Sequence, residues 1–156
     1  MLELQIPGRE PLRLAHLVLD YNGTLARDGA LRPGVAERIR QLAAHLQVHV
    51  ITADTFGSAR TETAGLPVTL QIIGQGGQTE AKARLVESLG PASVAAVGNG
   101  ANDRLMLARA ALSICVLEAE GAAVPTLMAA DVVVRSPEDA LDLLLRPGRL
   151  AATLRV

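Results

Sequence analysis

A chain of 156 residues, 49% hydrophobic and 20% charged, has the length and composition of one soluble globular domain over residues 1–156. Its net charge of −1 lacks the basic excess of a nucleic-acid binder, and no uncharged apolar stretch is long enough to cross a bilayer. One cysteine, Cys115, excludes a disulfide framework and a cysteine metal site, and MLELQIPGRE has no signal-peptide layout, so a cytoplasmic protein is expected.

In chain order, residues 2–6 alternate apolar and polar and predict a short edge strand, broken by Pro7-Gly8 and Pro11. Residues 15–20 predict the first central strand, ending in Asp20, and a loop over 21–32 carries a small hairpin signal at Asp28-Gly29. Pro33 suits the first turn of a helix, along which Val35, Ile39, Leu42 and Leu46 recur at helical spacing. A second strand over 48–51 leads to Thr52-Ala53-Asp54, and a helix over 56–64 stops at Gly65. A third strand (68–73) and a glycine loop precede a helix over 79–89. The fourth strand (93–97) ends in Gly98-Asn99-Gly100, and a helix follows from about Asn102 to Ala110. A fifth strand (112–117), a helix (121–129) and a sixth strand (132–134) follow. Ser136-Pro137-Glu138 then opens a last helix, with Ser as cap and Pro at its first position. Beyond Pro147, Leu150, Leu154 and Val156 are candidates to pack on the body or on a partner.

Alternating strand and helix predicts an α/β fold: a Rossmann-like three-layer α/β/α sandwich on a mainly parallel sheet of about six strands. Right-handed crossovers put the carboxyl ends of all those strands on one edge. Asp20, Thr52, the glycine loop before Lys82 and the Asn99–Asp103 loop should therefore converge. Residue usage points the same way. Lys82 is the only lysine in a chain that otherwise uses arginine, and Asn22, Asn99 and Asn102 are the only asparagines. An ammonium is a compact, rotatable point charge that a planar guanidinium does not reproduce.

The chemistry this set suggests is phosphoryl transfer. A carboxylate such as Asp20 attacks phosphorus to give an aspartyl-phosphate, splitting one displacement into two steps. Attack of one anion on another calls for a bridging divalent cation, and Mg2+ suits hard oxygen donors. Asp20, the main-chain carbonyl of Asn22, and Asn99 or Asp103 are the candidate ligands. Thr52 offers a hydroxyl to a phosphoryl oxygen, and Lys82 offsets charge on the transferring group.

These residues, DYNGT, a threonine-ended strand, a lysine and GNGAND, resemble the haloacid dehalogenase-like superfamily of phosphotransferases. The resemblance covers nearly the whole chain and is closest in wording to the phosphorylation domain of P-type ATPases. DYNGT is similar to that group's DKTGT, Thr52-Ala53-Asp54 to its TGD, and GNGANDRLML to GDGxND followed by an apolar residue. By this resemblance Asp20, Asn22, Thr52 and Lys82 form the catalytic set. Tyr21, Gly23, Ala53, Asp54 and Asn102 face a phosphorylated substrate, and Asp20, Asn22, Asn99 and Asp103 surround the metal. Asp54 has a second reading, as a cap on the helix that follows. For Tyr21, packing is favoured over lining the substrate mouth.

Two residues depart from the pattern. Asn22 stands where phosphatases of the superfamily carry the general acid/base, and an amide does not exchange a proton in that way. Asn99 stands at the position of a metal-ligating aspartate and brings no formal charge. The expected activity is a slow Mg2+-dependent phosphohydrolase or phosphotransferase, with a catalytically degenerate phosphate- and Mg2+-binding module as the alternative. Residues 25–32 and 55–78 leave no room for a cap domain, so the site should be open, shielded by a homo-oligomer or by a large substrate. A receiver domain of a signalling relay is excluded by order, since its phosphoryl aspartate follows a later strand.

Overall fold

The computed structural model describes all residues from Met1 to Val156. The chain opens with two strands, β1 (Leu2–Leu4) and β2 (Leu12–Leu14), paired antiparallel as a separate hairpin. The first central strand is β3 (His16–Leu19). A second small hairpin follows, β4 (Ala26–Arg27) and β5 (Ala30–Leu31), turning at Asp28-Gly29 as its sequence predicts. Then come α1 (Val35–Ala43), β6 (Gln47–Thr52), α2 (Ala59–Glu62), β7 (Val68–Ile72) and α3 (Gln78–Leu89). The second half runs β8 (Val94–Gly98), α4 (Arg104–Arg109), β9 (Leu112–Val116), α5 (Val124–Ala129) and β10 (Val132–Val134). It closes with α6 (Pro137–Leu145) and α7 (Pro147–Leu154).

Six strands form one sheet in the order β10-β9-β8-β3-β6-β7, every neighbouring pair parallel. The first central strand lies inside it, with Leu17 opposite Val48 on one side and Ala95 on the other. Side chains alternate across a strand, so each strand feeds two cores. Leu17, Leu19, Val50, Val97 and Ile114 join one cluster with Ile39 and Leu42 of α1, Leu141 and Leu144 of α6, and Leu150 of α7. Val18, Ile51, Ala96 and Cys115 face the other way, onto Val86 of α3 and Met106 and Leu107 of α4. That is the expected three-layer α/β/α sandwich. Each fully buried leucine contributes about 2–3 kcal/mol through removal of apolar surface from water. No helix is long and apolar enough to cross a membrane.

Three local expectations need correction, and the open question of the tail is resolved. The strand over 2–6 does not edge the central sheet; it pairs with a strand at 12–14 that has no turn-free apolar run long enough to announce it. The helix over 56–64 is a single turn, Ala59–Glu62, because Asp54 adopts a left-handed backbone (φ 52) and the chain turns again before Ser58. The helix expected over 121–129 starts only at Val124. Pro125 sits in its first turn, where its missing N–H costs no hydrogen bond. The tail is helical, with Leu150 and Leu154 buried in the first core and Val156 exposed. Ser136 caps α6 as its sequence predicts, its Oγ accepting from Asp139 N at 3.0 Å.

Candidate active site

Parallel pairing puts the ends of β3, β6, β8 and β9 on one edge, and the buried polar residues collect there. Asp20, Thr24, Thr52, Lys82, Asn99 and Asp103 are all buried, in a chain whose other buried residues are nearly all apolar. A buried polar group must find partners or lose stability, and the partners here are each other.

Lys82 is the hub. It lies on α3, 1% exposed, and its Nζ donates to Asp20 Oδ1 at 2.7 Å, Asp103 Oδ1 at 2.7 Å and Asn102 Oδ1 at 3.1 Å. Three acceptors use the three protons of an ammonium, which is the physical reason that lysine stands here. Burial works against its charge, but Asp20 and Asp103 outweigh burial and hold the ammonium above the usual lysine range.

Asp103 sits beneath the site. Its Oδ1 holds Lys82, and its Oδ2 accepts from Asn99 N at 3.0 Å and Gly100 N at 2.9 Å. Burial, and then the charge of Asp20, push its carboxyl above the ordinary aspartate range, while Lys82 pulls it back. Fully buried and with both oxygens engaged, Asp103 holds Lys82 and the end of β8 in place. Gly98 makes the arrangement sterically feasible: a β-carbon there would stand 2.6 Å from Asp103 Cγ.

Asp20, at the end of β3, faces a cleft of about 150 Å³. Asn22, Thr52, Ala53, Asn99 and Asn102 line the same cleft, as expected, together with Thr55, Gln78, Gly100 and Glu120. Thr52 Oγ1 accepts from Asp54 N at 3.0 Å, leaving its own proton free to donate into the cleft. Asn102 is locked on both sides, Oδ1 on Lys82 and Nδ2 on Gln78 Oε1 at 2.6 Å. Gly23 turns the chain below Asp20 at φ 76.

Two residues expected at the substrate turn away from it. Tyr21 is fully buried in the larger core, and its hydroxyl donates to Gly29 O at 2.9 Å, which also accepts from Ser58 Oγ at 2.6 Å. Burial, aided by Glu62, pushes its phenol up to about 12, so it stays a neutral donor that ties down the β4–β5 hairpin. Asp54 takes the capping role of its two readings: Oδ1 accepts from Ala59 N at 2.9 Å, at the start of α2.

The oxygens suit a hard cation. Thr24 Oγ1 lies 3.1 Å from Asp20 Oδ2 and 3.1 Å from Asn99 Oδ1, so two acceptors share one hydroxyl proton. Asn99 presents its oxygen to this group because its Nδ2 donates to Gly121 O at 3.1 Å. Asn22 Oδ1 is closed off from solvent and has no donor at all. Such unmet acceptors fit a divalent ion of the Mg2+ type. No three His, Cys, Asp or Glu side chains gather anywhere in the chain to hold a metal, so the donors here are mixed carboxylate, amide and hydroxyl oxygens.

Sequence reasoning missed Thr24, Thr55, Gln78 and Glu120. The signal for Glu120 was present: β9 is parallel to its neighbours, so the loop after it must reach the same edge.

No protein-family model matches the chain. It is 44% identical over 84 residues to the "Uncharacterized protein MJ0073" of Methanocaldococcus jannaschii, a match covering 51% of this chain and 90% of that one. A second protein of that organism, "Uncharacterized protein MJ0072", is 41% identical over 39 residues, 25% of this chain and 89% of its own. Among solved structures, the cobalt-bound deoxy-D-mannose-octulosonate 8-phosphate phosphatase of Haemophilus influenzae superposes with a TM-score of 0.72 at 18% identity, covering 92% of this chain and 94% of that one. The 3-deoxy-D-manno-octulosonate 8-phosphate phosphatase of Moraxella catarrhalis, in complex with magnesium, phosphate and KDO, gives 0.72 at 17% identity, over 91% and 94%. A HAD superfamily (subfamily III A) hydrolase of Legionella pneumophila gives 0.73 at 20%, over 92% and 88%. The chain thus belongs to the family of MJ0073, and it folds as the haloacid dehalogenase-like hydrolases do.

Proposed function

We propose that this protein is a divalent-cation-dependent phosphohydrolase that works through Asp20. The observation that carries the reading is the buried Lys82, held between Asp20 and Asp103 beneath an open polar cleft. A carboxylate so held is fixed in direction, and the ammonium is ready to offset charge that builds on a phosphoryl group. The phosphatase names of the structural neighbours support the same reaction class.

In the first step an Asp20 oxygen bonds to phosphorus as the bond to the leaving oxygen breaks. Thr52 donates to a phosphoryl oxygen, and Lys82, with its three protons committed to Asp20, Asp103 and Asn102, offsets the developing charge from beneath Asp20. The leaving oxygen takes its proton from solvent, because the Asn22 amide is no acid. In the second step water attacks phosphorus, releases inorganic phosphate and restores the Asp20 carboxylate. Mg2+, held by oxygens of Asp20, Asn22 and Asn99, would supply charge neutralisation between the two anions. Without a general acid, leaving groups that need no proton, such as acyl phosphates and phosphoanhydrides, should be turned over better than alkyl phosphates. The P-type-ATPase flavour of this proposal rests on motif wording, and the substrate is a phosphorylated small molecule, with phosphorylated sugar acids one class to include.

The test is a panel of phosphorylated metabolites with Mg2+, comparing wild type with Asp20→Asn. We expect wild-type hydrolysis and a loss on the order of 10⁴-fold in the variant. Activity surviving the substitution would remove Asp20 from the nucleophile role. A second reading, a binding module without turnover, draws on the two amides at Asn22 and Asn99. Orthovanadate binding with no hydrolysis of any substrate would select it.

A further inference from the structure

We infer that Glu120 supplies the second carboxylate of the cation site, replacing the one that Asn99 lacks. The inference rests on the cation reading above and concerns the loop between β9 and α5, to which neither the sequence motifs nor the matched proteins' names assign a role.

Glu120 lines the same cleft as Asp20, Asn22 and Asn99. Its placement can be read at Gly23. A β-carbon on Gly23 would stand 2.5 Å from Glu120 Oε2, 2.6 Å from Asn99 Nδ2 and 3.0 Å from Asn99 Oδ1. The Glu120 carboxylate and the Asn99 amide therefore both crowd the space above Gly23. Asn99 Oδ1 in turn lies 3.1 Å from the Thr24 hydroxyl that reaches Asp20. No ion pair or hydrogen bond occupies Glu120. By contrast Glu118, two residues earlier, is held by Arg32 at 2.9 Å and Arg27 at 3.3 Å.

The loop that presents Glu120 is fixed rather than loose. Leu117 N donates to Val134 O at 2.8 Å, Glu118 is clamped by its two arginines, and Ala123 N donates to Asn99 O at 2.9 Å. The Asn99 Nδ2 bond to Gly121 O closes the set. An aspartate at 99 has no proton to give Gly121 and would repel Glu120. The amide at 99 thus lets a neighbouring strand end deliver the charge instead.

Charge counting agrees. Asp20 and Asp103 carry two negative charges and Lys82 one positive, leaving one negative charge for a doubly charged ion. Glu120 raises that to two. Affinity for hard divalent ions follows the number of charged oxygen ligands. An uncompensated Glu120 at the mouth would only repel a phosphoryl anion, so its position is productive with a cation between them.

The experiment is calorimetric titration of the full chain with Mg2+ alone, read as a dissociation constant. Glu120→Gln should weaken binding roughly tenfold or more. Glu37→Gln, on an exposed face of α1, should bind as wild type does. Asn99→Asp added to Glu120→Gln should restore the affinity, because the Gly121 bond matters only while Glu120 must be aimed. The metal-free melting temperature of Glu120→Gln should match wild type, since the side chain is exposed. A Glu120→Gln dissociation constant within roughly threefold of wild type overturns the inference, as does wild-type protein that binds no Mg2+. Mg2+ binding that depends on Glu120, without hydrolysis of any substrate, sinks the enzymatic reading and leaves this one standing.

Discussion

The two edges of the central sheet are built from the same six strands and solve opposite problems. At the amino edge, the β1–β2 hairpin, the end of α1 and the turn before β8 close over the strand starts. Leu4 and Leu14 are buried there, and the Met1 amine donates to His45 O at 2.6 Å. At the carboxyl edge the chain leaves a cleft and buries three charged groups around it. The amino edge is held by apolar burial, which is non-directional and tolerant of repacking. The carboxyl edge is held by hydrogen bonds whose partners must all be present. The contrast implies that single substitutions at the carboxyl edge should disturb stability and chemistry together, and that those at the amino edge should touch stability alone.

The strongest way to break this comparison is Lys82→Met. It keeps the volume but leaves Asp20 and Asp103 buried without a counter-charge. Unfolding free energy should fall by about 3–5 kcal/mol in a denaturant titration, and hydrolysis should vanish with it. A Lys82→Met protein as stable as wild type would show that the ion network is not what holds this edge.

Asn22→Asp is next in size and opposite in sign. It adds the missing proton donor beside Asp20, in a cleft where Asn22 Oδ1 now has no partner. Turnover of an aryl phosphate should rise on the order of 10²-fold. No gain in a folded protein would mean that proton transfer does not limit this site.

The smallest effect belongs to the amino half of the sheet. His16 Nδ1 and His49 Nε2 lie 3.3 Å apart on β3 and β6. Burial, and then His16, hold His49 below its usual value of 6.5. The unfolded chain thus takes up a proton more readily than the folded one. Stability from this pair is complete above the unfolded value and declines as pH falls towards the folded one. Melting temperature should drop between pH 7 and 5 in wild type and drop less in His49→Gln, with turnover at pH 7 unchanged in that variant. Equal drops in both would assign the acid sensitivity to the carboxyl edge.

Much of the site was legible in advance because it depends on strand ends. Asp20, Thr52 and Asn99 each close an apolar run, and parallel pairing alone brings such residues together. Lys82 was legible from residue usage. Which of their two readings Tyr21 and Asp54 would take, and how fully Asp103 is occupied, was not legible, because adjacency to a motif does not say which way a side chain turns. Tyr21 follows Asp20 in sequence, yet alternation along the extended chain sends its ring into the core. Asp54 is drawn off by an unpaired helix N–H and Asp103 by two backbone amides and an ammonium. Hydrogen-bond competition of this kind is decided only once all the partners are in place.

Sequence by itself thus determined the layers, the parallel sheet and the edge on which the chemistry collects, because hydrophobic periodicity and strand–helix alternation are local and their consequences are topological. Tertiary structure alone decided which carboxylates stay available. It spends Asp103 on holding Lys82, frees Glu120 at the mouth, and uses the Asn99 amide to aim it. Those roles follow from distances between residues far apart in the chain, and periodicity carries no record of such distances.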